Sequence, residues 1–71
     1  MTPDEIKAKL DTPDAEIRLN ETAGWYWINV TRTHNGHRHT HTIRLDLEPS
    51  DAQILDASDA IQAWWSETIN P

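Results

Sequence analysis

Four histidines fall inside the run HNGHRHTH, at His34, His37, His39 and His41. Imidazole can ligate a metal, carry a proton, or change charge near neutral pH. On a strand, residues two apart project from one face, so His-x-His is a ligand geometry that a strand can supply. His34, His37 and His39 are the candidate ligands for zinc or a similar transition ion. Arg32 falls on the same alternating set and would repel a cation. No carboxylate is expected at that end of the face, and a hairpin tip gives ligands little support from behind. The expectation is therefore a solvated tip with His41 half buried beside Val30, and no metal or cofactor. A pH-responsive surface is the alternative use of these groups, since protonation below about pH 6 would make the tip strongly positive.

A second set of residues suits binding. Trp25, Trp27 and Arg44 are of the types that dominate interface hot spots, and Trp27 opposite Arg44 allows a cation–π contact. Asp56, Asp59 and Glu67 fall together on one side of the last helical segment and offer carboxylates to a basic or mixed partner. Catalysis has no such set. No nucleophile motif surrounds Ser50, Ser58 or Ser66, and Ser50 sits where it can cap a helix. Gly24 and Gly36 both read as turn residues, so no glycine-rich phosphate loop exists. The chain reads as non-enzymatic.

The elements that must position these groups are legible. Asn35-Gly36 is the strongest short-range signal for a type I′ turn, because both central residues need positive φ. It predicts strands over Trp25–His34 and His37–Leu47. With a two-residue loop, Tyr26 faces Leu45, Ile28 faces Ile43 and Val30 faces His41, on the face that also carries Arg32, His34, His37 and His39. Trp25, Trp27, Asn29, Thr31 and Thr33 share the other face with Arg38, Thr40, Thr42, Arg44 and Asp46. An odd-length loop would exchange the faces. The tryptophans either pack under the N-terminal helix or stand exposed.

Thr2-Pro3-Asp4-Glu5 opens a helix with a capping box, carrying Ile6 and Leu10 on one face and stopping near Asp11 because Pro13 restrains Thr12. Ala15–Asn20 is a short strand with Ile17 and Leu19 on one face. Ser50-Asp51-Ala52-Gln53 opens the last helix, which runs to about Thr68 with Ile54, Ala57, Ile61, Trp65 and Thr68 as its apolar stripe, flanked by Trp64. The predicted class is α+β, in the order α-β-β-β-α: a three-stranded antiparallel sheet packed on a long C-terminal helix. It forms one domain over residues 1–71.

Composition limits what such a domain can do. A chain of 71 residues buries roughly 60% of its unfolded surface, so its core is thin. Without cysteine it has neither a disulfide nor a thiolate metal site. The net charge of −6 disfavours general binding to nucleic acid or anionic membrane. The charge is also uneven: the last third of the chain carries acids and no base. The start, MTPDEIKAKL, has no apolar run, and no membrane-spanning stretch follows, so the expected setting is cytoplasmic.

The capped helix in MTPDEIKAKL, the turn in THNGH and the acidic segment DAQILDASDAIQAWWSE together resemble small phage-encoded anti-CRISPR proteins. The resemblance is one of architecture and covers most of the chain. It implies an inhibitor that binds a host protein or nucleoprotein complex, with carboxylates occupying a nucleic-acid groove, and it transfers no functional residues. The segment GWYWINVTRTHNGHRHTHTIRL is similar to the GxWxYxV…GKRK strand pattern of integrase arm-type DNA-binding domains. That likeness implies a strand face in the major groove, with Arg38, Arg44 and the threonines in contact. The lysines of that pattern are histidines here. The double-stranded-RNA-binding fold shares the element order without its basic loop–helix signature. Host-protein binding is thus the main expectation, nucleic-acid binding the second, and a homodimer through the hairpin edges or exposed tryptophans the third.

Overall fold

The computed structural model describes residues 1–70. The chain runs α1 (Pro3–Leu10), β1 (Ala15–Asn20), β2 (Trp25–His34), β3 (His37–Asp46) and α2 (Asp51–Ile69). The strands form one antiparallel sheet in the order β1-β2-β3. This is the expected α+β architecture, an open three-stranded sheet with its helices at the two ends of the chain.

Each element starts and stops for a local reason. The Thr2 hydroxyl accepts from the Glu5 N–H and the Glu5 carboxylate accepts from the Thr2 N–H, so two free donors of α1 are used. Asp11 ends the helix in the left-handed region at φ 55°, a conformation Asp tolerates better than most residues. Ser50 and Gln53 form the same reciprocal box on α2. At the hairpin, Asn35 has φ 52° and Gly36 has φ 78°, the signature of a type I′ turn. The pairing then runs without slip from His34↔His37 to Trp25↔Asp46. β1 continues it, with Ala15 opposite Val30, Ile17 opposite Ile28 and Leu19 opposite Tyr26.

That register gathers Ala15, Tyr26, Ile28, Val30 and Leu45 on one face, and both helices pack there. Ile6 and Leu10 of α1 are fully buried in the same core as Ile28, Val30, Ile54 and Ile61. Truncating any of these to alanine would cost about 2–5 kcal/mol. The α1–α2 contact and the α1–β1 contact both belong to this layer. The Tyr26 hydroxyl adds a bond to the Met1 carbonyl at 3.1 Å. Leu19, expected to extend the apolar face, is 48% exposed at the edge of that layer.

Two consequences position the candidate residues. With both helices on one side, the other face of the sheet has no layer over it, and Trp25 and Trp27 do not lie beneath α1. In addition, α2 has 19 residues and is about 28 Å long, nearly the length of a ten-residue strand, about 33 Å. It therefore reaches the polar, turn-proximal end of the inner face.

Candidate interaction surface

On the open face, one cross-strand row reads Arg18, Trp27, Arg44, one residue from each strand. The next row toward the strand end reads Asn20, Trp25, Asp46. The two indoles meet edge to face at 5.8 Å with a 90° interplanar angle, a favoured aromatic geometry. Both are half buried. The Arg44 guanidinium lies 4.8 Å from the Trp25 ring centroid. The cation–π contact expected with Trp27, directly opposite, goes instead to its diagonal neighbour, which the length and lean of an arginine side chain allow. Arg18 is tied to Glu16 at 2.7 Å, and Thr31–Thr40 and Asn29–Thr42 form polar ladders farther along. The Trp25 indole N–H is buried and has no acceptor among the described residues.

Residue type and alternation along the hairpin point to Trp25, Trp27 and Arg44 on this face but not to Arg18. Only the β1–β2 register, which places Arg18 beside Trp27, reveals it. Arg38 lies on the same face, exposed near the turn. Three of the chain's four arginines therefore share one open surface.

The histidines are placed differently from the expected solvated tip. His34 and His39 stand edge-on to Trp65, at 6.1 and 6.5 Å. His41 stacks on Trp64 at 5.1 Å with only 12° between the planes. Arg32 lies 5.4 Å from the Trp65 ring. His37 alone of the four is exposed, and the other three are half buried. The end of α2 thus roofs the polar end of the inner face with two indoles. The sequence periodicity placed Trp65 in the apolar stripe without indicating that its contacts would be cationic and imidazole groups. Among the described residues, no three His, Asp or Glu side chains converge as metal ligands.

A carboxylate does reach this end, contrary to expectation. Asp14, in the α1–β1 loop, takes a forked bond from Arg32 at 2.7 and 3.0 Å. Hydrogen bonding to Arg32 holds the Asp14 carboxyl below its ordinary range and pushes the guanidinium up, with burial opposing both. Since Asp14 lies 18 residues from Arg32, no local pattern signals the pair.

The remaining predicted residues, Asp56, Asp59 and Glu67, are exposed on α2 with no ion pair among the described residues. Asp59 and Glu67 stand on the helix layer apart from Trp25 and Trp27, whereas Asp56 lines a cleft between β3 and α2 together with Arg44. Apart from that cleft, the structure divides the six predicted contact residues between two surfaces. Asp51 is engaged by Lys9 at 2.8 Å.

No family model, curated protein or solved structure matches this chain. No described helix is long and apolar enough to cross a membrane.

Proposed function

We propose that this chain is a non-enzymatic protein-interaction domain that meets its partner with the open face of its sheet. The observation that carries this reading is the row Arg18, Trp27, Arg44 beside Trp25 on a face that neither helix covers. Trp and Arg are the side chains most enriched at the centres of interfaces, where they bury large areas at modest entropic cost. Trp25 adds a donor without an acceptor. That N–H is buried within the chain, so its cost of about 1–3 kcal/mol falls on the stability of the face and is not recovered by partner contact. The acids on α2 supply a second, electrostatic surface that would govern encounter rate more than affinity. The resemblance to small phage-encoded inhibitors points to a host protein or nucleoprotein complex as partner and to an anti-defence role. The lack of cysteine suits a cytoplasmic setting.

Nucleic-acid binding by the same face is the second reading, favoured by Arg18, Arg38 and Arg44 lying together. The net charge of −6 weighs against it, because phosphate binding draws on overall positive potential.

Affinity capture from the source cells, run in parallel with surface variants, tests the proposal. Trp27→Thr with Arg44→Thr keeps residues suited to strands and should abolish retention of the partner. Asp56→Lys with Asp59→Lys should only weaken it. Equal retention by both double variants would refute the open-face assignment. Retention of oligonucleotides at low salt, lost on Arg38→Ala with Arg44→Ala, would favour the second reading.

A further inference from the structure

β3 forms an edge of the sheet along its whole length, His37–Asp46. An exposed edge presents unpaired N–H and C=O groups, which proteins commonly blunt with charged side chains, proline, a bulge or a covering segment, and of these β3 has only the charges. β3 has ten residues, no proline and an unbroken register against β2. No other segment among the described residues makes a backbone hydrogen bond to it. The opposite edge, β1, has only six residues.

The hairpin determines which groups are open. His34 and His37 close a two-residue loop and exchange hydrogen bonds, and alternate pairs outward from the turn do the same. Arg38, Thr40, Thr42, Arg44 and Asp46 therefore point their backbone groups away from β2.

We propose that this edge pairs antiparallel with the same edge of a second copy, about a two-fold axis through Thr42. The two three-stranded sheets then become one continuous sheet. Hydrogen bonding must oppose residues whose groups point outward, which limits the register to a few choices. With Thr42 on the axis, Arg38 lies opposite Asp46 of the second copy and Asp46 opposite its Arg38. Arg44 meets Thr40 in both directions. Moving the axis one residue toward the turn, to His41, opposes Arg38 to Arg44 twice and repels. The strand is thus charge-complementary to itself in the register that uses almost its full length, as an isologous interface requires.

The inner side of the edge agrees. A cleft of about 350 Å³ runs between β3 and α2, floored by Ile43 and Leu45 and walled by Asp56, Ala57 and Ala60. The same register brings His39 of the second copy opposite Leu45, at the mouth of this cleft beside the Asp56 carboxylate. The open faces of the two sheets become continuous, so a dimer would present the Arg18–Trp27–Arg44 row twice.

Sedimentation equilibrium on the full chain over a wide concentration range tests the pairing. The wild type should show a monomer–dimer equilibrium. Arg38→Asp alone, or Asp46→Arg alone, should weaken self-association by roughly tenfold or more, since each places like charges opposite one another at both ends. Mixing the two variants in equal amounts should restore association, because the mixed dimer opposes unlike charges at both ends. Circular dichroism on each variant separates lost pairing from lost fold. A wild type that stays monomeric at every concentration would overturn the proposal, as would a dimer that neither substitution weakens. So would a mixture that associates no better than its components. Binding of an unrelated extended peptide along β3 by a monomeric wild type would assign the edge to a different occupant.

Discussion

The Arg32–Asp14 fork is the most consequential polar contact on the helix-covered side of the sheet. It neutralises the cation that shares the imidazole face of the hairpin, and it ties the α1–β1 loop to β2. The Arg32 side chain is 25% exposed and Asp14 is 44% exposed. Solvent screening therefore holds the value of the pair to about 1 kcal/mol even with forked geometry. Asp14→Asn should lower the unfolding free energy by about that much at neutral pH. The carboxyl is held below its ordinary value in the folded state. Its contribution is therefore complete above the ordinary carboxylate range and is lost as pH falls through the depressed value. Urea denaturation of both proteins at a series of pH values should show their difference closing below about pH 4. A difference that persists in acid would mean the loop is held by something other than this ion pair. Trp65 shows why such contacts escape the sequence: its period marks it as buried, but period carries no information about whether the surroundings are aliphatic or cationic.

At the scale of elements, the hairpin is the part most legible in the residues. Asn35-Gly36 requires a left-handed pair, and alternation fixes which side chains follow it on each face. Gly36 has φ +78° and nothing within 4 Å of where a Cβ would sit. Gly36→Ala would therefore meet no steric clash and pay only for backbone conformation, about 1 kcal/mol. A shift of that size in the denaturation midpoint, with an unchanged slope, would confirm that the turn alone was affected. The helices were legible for similar reasons, since both capping boxes can be read directly from Thr2-x-x-Glu5 and Ser50-x-x-Gln53. The face on which α1 docks was not. Ile6 and Leu10 need an apolar surface, and either side of the sheet offers one at the end bearing Tyr26 or Trp25. The short loop from Asp11 to Asp14 and the demand for one shared core decide between them.

For the molecule as a whole, charge is unevenly distributed: the open face mixes three arginines with Glu16 and Asp46, whereas the charged residues of α2 are all acids. Arg18, Arg38 and Arg44 occupy the open sheet face, while α2 carries Asp51, Asp56, Asp59 and Glu67 with no base in its last turn. A net charge of −6 on so small a body works against compactness by self-repulsion, and an acid near a helix C-terminus opposes the helix dipole. Asp59→Lys with Glu67→Lys should therefore stabilise the fold by about 0.5–1 kcal/mol at low ionic strength. The gain should vanish near 1 M salt, where the Debye length is about 3 Å. Stabilisation that survives high salt would point to packing rather than charge. An acidic helix layer kept at a cost to stability is consistent with a role for those carboxylates in binding.

Local chemistry written along the chain was enough to specify every helix and strand, the turn type, the pairing between β2 and β3, and the residues that would share a side of the hairpin. These depend on backbone preference and on periods of two and 3.6 residues, which are properties of neighbours in sequence. Which side α1 joined, that the other stayed bare, where Arg18 came to rest, and that Asp14 would clasp Arg32 beneath an indole roof all depend on groups far apart in the chain. Burial and charge pairing act through space, and those relations exist only once the layers have met.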